Sequence, residues 1–311
     1  MPRPTGFAAQ SGHTMCGIVG IYLKNESLHP ELGRHLAAML VEMSDRGPDS
    51  AGIAVYRDPL AETSCKLTLH AVGRYDWASL QAAMAAQLDV DVQLHVVASH
   101  AVITVAKDVT SVQDWLRAER PEVRIMSAGS SIEIYKEKGL PREFVQQFHL
   151  RELSGSHALG HTRMATESAV TTAHSHPFST GMDLCLVHNG SLSNHNRLRR
   201  LLRDEGVDIQ TDNDSEAAAG YLMWRMREGD SLQEALNRAL DDLDGFYTFA
   251  IGTRDGFAVL RDPIACKPAV MAETEDWVAM ASEFRAIAQL PGAEHARVWE
   301  PAPATVYTWG H

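Results

Sequence analysis

The feature that most constrains this chain is the run Met15-Cys16-Gly17-Ile18-Val19-Gly20-Ile21-Tyr22-Leu23. It carries no charge, and a short apolar run of this kind reads as a buried strand. The residues before it mix Pro, Gly, Ser and Thr without a hydrophobic period, so 1–15 read as a tail or propeptide. They lack the apolar core of a secretion signal. Cys16 is open to two readings. Free cysteine often serves as a small core residue. Alternatively, removal of an initiating Met15, or of the first 15 residues after a start at Met1, leaves Cys16 at the N-terminus. A thiol then shares one residue with an α-amine of reference pKa about 7.7–8.0. That amine is a competent base near neutral pH for a nucleophile that is weak until deprotonated.

Composition bounds the rest. With 311 residues, 45% hydrophobic and 22% charged, the chain can bury a core without staples, which excludes disordered and collagen-like classes. Lys plus Arg number 28 against 40 Asp plus Glu, a formal charge of −12, which argues against duplex DNA or an anionic membrane surface as main partner. An acidic small substrate in a local cationic pocket stays open. No apolar run approaches the roughly 18 residues of a membrane helix. Cys16, Cys65, Cys185 and Cys266 are scattered and form no CxxC pair, the pattern of free thiols in a cytoplasmic protein.

Periodicity predicts helices over 30–44, 76–88, 112–120, 141–148, 194–205, 215–228 and 231–243. It predicts strands over 53–56, 64–74, 92–105, 123–135, 184–188, 277–281 and 305–309, and a hairpin joining 246–252 to 257–260. Strands cluster in blocks with helices between them, which indicates α+β layers rather than strict βαβ alternation.

Five stretches carry chemistry. They are Met15-Cys16-Gly17-Ile18-Val19-Gly20, Arg46-Gly47-Pro48-Asp49-Ser50-Ala51-Gly52, Gly160-His161-Thr162-Arg163-Met164-Ala165-Thr166, Val187-His188-Asn189-Gly190 and Asp212-Asn213-Asp214-Ser215-Glu216. In this order, across residues 15 to about 285, they resemble the class II glutamine amidotransferases, N-terminal-nucleophile hydrolases with a catalytic cysteine. The resemblance implies a four-layer αββα sandwich over residues 16–311. It implies Cys16 as nucleophile, and the Asn189 side-chain amide with the Gly190 N–H as oxyanion donors. Arg163 then takes the α-carboxylate of L-glutamine and Asp214 its α-ammonium, while Arg46 and His176 line the pocket. Residue chemistry agrees: a guanidinium forks onto a carboxylate as lysine cannot. Plainer readings exist for each. Asp214 suits a helix N-cap, Arg163 a surface ion pair, and Asn-Gly a tight turn. His174, His176, Cys185 and His188 suggest a zinc tetrad, but Cys185 and His188 stand three apart in a predicted strand and face opposite ways.

Met164 stands where many members place an aromatic. The spacing from Arg46 to Arg163 is also long, so an α/β insertion is expected within about 76–150, as a docking surface or a stability extension. The Gly160–Asn196 stretch is most similar to the small amidotransferase subunit of split glutamate-synthase-like enzymes, N-methylglutamate synthase among them. That likeness implies a glutaminase subunit supplying ammonia to synthase subunits, with FMN and an iron–sulfur cluster on those partners. This chain has no cysteine cluster and no Gly-rich dinucleotide fingerprint to bind either. Two other readings stay open: a non-catalytic scaffold subunit of the same fold, and an N-terminal-nucleophile amidase acting on another amide.

Overall fold

The computed structural model describes residues 16–164 and 171–310. The expected tail 1–15 lies outside the described residues, as do Ala165 and Thr166. Strands and α-helices are numbered in chain order.

A seven-stranded antiparallel sheet runs β15 (Arg297–Trp299), β13 (Val270–Glu273), β14 (Trp277–Ala281), β1 (Gly17–Leu23), β8 (His157–Arg163), β2 (Ser50–Tyr56) and β7 (Ile132–Lys138). A five-stranded antiparallel sheet runs β16 (Thr305–Trp309), β12 (Gly256–Arg261), β11 (Gly245–Thr253), β10 (Cys185–Leu192) and β9 (Phe178–Ser179). The two sheets face each other over a core that includes Ile18, Tyr56, Leu159, Val187, Phe257 and Met280. Outside the larger sheet lie α1 (Leu32–Glu42), α4 (Pro141–Gln147) and α8 (Phe284–Ile287), with Leu36, Phe144 and Ile287 in one cluster. Outside the smaller sheet lie α5 (His195–Asp204), α6 (Asp214–Arg227) and α7 (Leu232–Asp242), with Leu198, Leu222 and Leu236 in another. This is the αββα sandwich. The run Gly17–Leu23 is central because both of its faces are apolar: Ile18 packs between the sheets, and Val19 and Ile21 pack under α1.

A third sheet orders β4 (Val92–Val97), β5 (His100–Val105), β3 (Cys65–His70) and β6 (Arg124–Gly129). With α2 (Trp77–Leu88) and α3 (Val109–Glu119) it builds its own core from Leu67, Leu80, Met84, Ile103 and Trp115. The extra unit therefore begins at β3, earlier than the expected 76. It ends at β6, because β7 and α4 belong to the main layers: Ile132 and Ile134 enter the inter-sheet core, and Phe144 and Phe148 pack under the larger sheet. Asp183 fastens the unit to the sandwich. Its carboxylate accepts from the Ser130, Ser131 and Ile132 amides at 2.7, 2.9 and 3.0 Å and from both serine hydroxyls. A Cβ on Gly129 would stand 2.2 Å from that carboxylate, so the turn requires glycine there.

Candidate active site

Period-two alternation aims Cys16, Arg163 and Asn189 into one space. On β1, Ile18 faces the inter-sheet core, so Cys16, two residues earlier at the head of the strand, shares that face. On β8, Leu159 and then His161 face inward, which aims Arg163 the same way; Gly17 pairs with Thr162, bringing Cys16 level with Arg163. On the opposing sheet, Cys185 and Val187 face the same core, so Asn189 points inward toward the larger sheet. Its neighbours Leu186 and His188 point outward toward α6. Cys185 and His188 thus look to opposite sides: Tyr56 donates to the Cys185 Sγ at 3.3 Å, and His188 Nδ1 lies 2.9 Å from Ser215 Oγ.

Cys16 is half-buried. Burial pushes its thiol up; a backbone hydrogen bond from Met164 and the charges of Arg163 and Lys267 pull the other way without overcoming it. Arg46 Nε donates to the Cys16 carbonyl at 3.3 Å and Nη1 to Glu283 at 2.5 Å. Its Nη2 is buried without a partner among the described residues. Arg46 therefore holds the backbone of Cys16, and Glu283 holds Arg46.

Arg163 is 6% exposed, and its Nη1 donates to the His174 carbonyl at 3.1 Å. Gly47 lets the 46–49 turn lie against this strand, since a Cβ there would meet the Arg163 amide nitrogen at 2.4 Å. Asp214 Oδ2 accepts from the Leu192 amide at 2.9 Å, and Oδ1 lies 3.8 Å from His188 Nδ1. The N-cap of α6 is Asn213, whose side chain accepts from the Ser215 amide at 2.9 Å. The capping reading of Asp214 is therefore corrected by one residue, and its carboxylate stays turned toward β10. Gly190 has φ +149°, and a Cβ there would meet the Phe246 carbonyl at 2.0 Å, so this position needs glycine.

Three histidines pack behind these groups. His161 stacks on His176 at 4.0 Å between centroids and donates from Nε2 to the His188 carbonyl at 3.2 Å. Since a carbonyl only accepts, that contact fixes the His161 tautomer. His176 Nε2 lies 2.7 Å from Ser215 Oγ, so Ser215 bridges His176 and His188. Burial lowers all three, His161 to about 3, and the neighbouring cations and imidazoles lower His176 further. Burial thus favours the neutral imidazole at each. His176, expected in the pocket lining, is 7% exposed and engaged with Ser215 and the His161 ring.

Orphaned polar atoms mark this end of the sandwich. Among the described residues, thirteen buried side-chain N or O atoms have no partner. Six belong here: Arg46 Nη2, Ser50 Oγ, His176 Nδ1, His188 Nε2, Asn189 Nδ2 and Thr248 Oγ1. Ser50 pairs with Arg163 across β2 and β8, and Thr248 with Asn189 across β10 and β11. Native interiors rarely leave such groups unsatisfied, and a concentration of them identifies a place that receives a polar ligand.

Several contributors escaped the sequence reading. Lys267 enters from the loop after β12, which Asp262 shapes by accepting from the Ile264 and Ala265 amides at 3.0 and 3.2 Å. The Asp262-Pro263 dipeptide was its available signal. Ser215 stood in the Asp212–Glu216 stretch and at the start of a helix, with no role assigned to it. Glu283 had no signal, because its importance comes solely from Arg46, 237 residues away.

Comparison with known proteins agrees with this geometry. A family model described as a glutamine amidotransferase domain matches residues 161–289. The chain is 56% identical over 299 residues to the glutamine amidotransferase-like protein GlxB of Rhizobium meliloti, covering 96% of this chain and 99% of that one. It is 30% identical over 312 residues to a putative glutamine amidotransferase of Methanothermobacter thermautotrophicus, with 94% and 99% covered. Among solved structures, the glutamine phosphoribosylpyrophosphate amidotransferase from B. subtilis superposes with a TM-score of 0.60 at 21% identity. That match covers 94% of this chain and 47% of the other, a likeness of fold. The chain belongs to the class II glutamine amidotransferases.

Proposed function

We propose that this chain hydrolyses L-glutamine to glutamate and ammonia through a Cys16 thioester and hands the ammonia to a synthase partner. The observation that carries the reading is the buried Nδ2 of Asn189, without a partner among the described residues and aimed across the inter-sheet space at the end where Cys16 heads β1. The α-amine freed by removal of the residues before Cys16 takes the thiol proton, and the thiolate attacks the side-chain amide carbon. Charge develops on the amide oxygen, where Asn189 Nδ2 and the Gly190 N–H donate to it. The tetrahedral adduct collapses with protonation of the leaving nitrogen, ammonia departs, and water cleaves the thioester to release glutamate. Arg163 receives the α-carboxylate and Asp214 the α-ammonium, which selects an α-amino acid over a simple amide.

The partner on this reading is a glutamate-synthase-like complex of the N-methylglutamate synthase type, whose own subunits carry FMN and an iron–sulfur cluster. Co-purification from the native source, followed by ammonia-dependent synthesis with glutamine as donor, checks the partner. No helix among the described residues is long and apolar enough to cross a membrane. The chemistry is tested by measuring glutamate release from glutamine by the processed chain and its Cys16→Ala variant. Loss of release below detection is expected; retained release would remove Cys16 from the mechanism.

A further inference from the structure

Lys136 is unusual for its type. It is 4% exposed and stands on β7, on the same inward face as Ile132 and Ile134. Its ammonium donates to the Ser175 carbonyl at 2.9 Å and the Pro177 carbonyl at 3.1 Å, and it lies 4.7 Å from the Phe178 ring centroid. The two carbonyls flank His176. That residue's own carbonyl crosses Gly52 so closely that a Cβ there would stand 2.0 Å away. Segment 174–177 is thus laid over the bare backbone of β2 and tied down from β7.

What the segment does gives the tie its meaning. The His174 carbonyl accepts from Arg163 Nη1, and the His176 ring reaches Ser215 Oγ, which is shared with His188 and lies 3.3 Å from Asp214 Oδ1. One backbone segment therefore supports the groups assigned to both charges of an α-amino acid. We propose that Lys136 is a positioning residue for the amino-acid end of glutamine, acting by fixing segment 174–177 and, through it, Arg163 and Asp214. This inference rests on the glutamine reading given above.

An isolated buried ammonium is strongly disfavoured, so this one needs its partners. Burial lowers Lys136 to about 7, with Glu216 on α6 opposing the shift and Arg124 adding to it. His70, His100 and His176 also feel its charge. A methionine would fill the same space without the cost. Among the described residues the ammonium meets two carbonyls and a ring face, with the Glu216 charge favouring it and Arg124 opposing it.

The test compares wild type, Lys136→Met and Lys136→Arg in the processed full chain. Two rates of Cys16 alkylation are measured, with iodoacetamide and with 6-diazo-5-oxo-L-norleucine, which carries the α-ammonium and α-carboxylate of glutamine. Amide hydrogen exchange over 171–177 is followed in parallel. Lys136→Met should slow labelling by the glutamine analogue at least tenfold and leave iodoacetamide within twofold. It should raise exchange over 174–177 at least tenfold without raising it elsewhere, and Lys136→Arg should recover most of both effects. Equal slowing of both reagents, faster exchange throughout the chain, or no change in the segment would each overturn the proposal. If wild-type Cys16 shows no preference for the analogue, the glutamine reading fails, and the local exchange result still decides whether Lys136 fixes the segment.

Discussion

Replacing Asn189 with alanine separates catalysis from stability in a way that follows from its unpaired amide. Asn189 is 2% exposed and its Nδ2 has no partner among the described residues. Leaving such a group unpaired costs about 1–3 kcal/mol, which Asn189→Ala returns. The truncation empties roughly 25 Å³, worth ~0.6 kcal/mol at the cavity coefficient measured for core truncations. The net change in folding stability should lie between about zero and 2 kcal/mol in favour of the variant. Activity should move the other way. Loss of one oxyanion donor lowers kcat by about 100–1,000-fold. Because the donor engages charge that forms only in the transition state, KM for glutamine should change little. Urea unfolding monitored by tryptophan fluorescence gives the first quantity, and coupled glutamate detection gives the second. A variant destabilised by more than 2 kcal/mol, or one whose kcat stays within fivefold of wild type, would refute the assignment of the unpaired amide to the oxyanion.

Three further outcomes are expected. Arg163→Lys should raise KM for glutamine by at least tenfold while iodoacetamide still alkylates Cys16 at the wild-type rate, since an ammonium cannot fork onto a carboxylate; an unchanged KM would assign Arg163 to structure alone. Asp183→Ala strips one acceptor from three backbone amides and two hydroxyls, and should destabilise by about 3 kcal/mol or more. Denaturant midpoints within 0.5 kcal/mol of wild type would show that the β6–β7 turn holds without it. In the unprocessed chain of 311 residues, burial holds the Cys16 thiol above its ordinary value, so alkylation should rise about tenfold per pH unit through pH 9. A plateau below pH 8 would contradict this, because the thiolate would then already be formed.

The elements were legible wherever one periodicity ruled. The strand at Gly17–Leu23 and the helices His195–Asp204, Asp214–Arg227 and Leu232–Asp242 follow the predicted spans closely. The pairing of two sheets into a sandwich came from the family resemblance, because alternation names the buried face of a strand without naming what covers it. The third sheet was misplaced for the same reason: β3 and β7 read alike as short strands, and only pairing shows that one belongs to the extra unit and the other to the sandwich. Lys136 was the missed opportunity. In Ile132-Glu133-Ile134-Tyr135-Lys136, alternation sets the lysine on the face of the two isoleucines, a pattern that calls for a buried partner. The meeting of Arg46 with Glu283 had no local signature, and neither did the convergence of His176 and His188 on Ser215.

The polar end of the sandwich also constrains which group can act as base. Three imidazoles lie behind the site, and a histidine is the usual candidate for taking a thiol proton. Here each is lowered by burial; a proton would add a cation beside Arg163 at His161, beside Arg163 and Lys136 at His176, and near Lys267 at His188. His161 falls to about 3 while Cys16 is raised above 9.0. An α-amine on Cys16 itself has a reference value of about 7.7–8.0, well above the lowered imidazoles. The same burial that surrounds Asn189 and Arg163 therefore weakens the histidines beside them as bases. The mechanism proposed above, with the α-amine of Cys16 as base, accords with that.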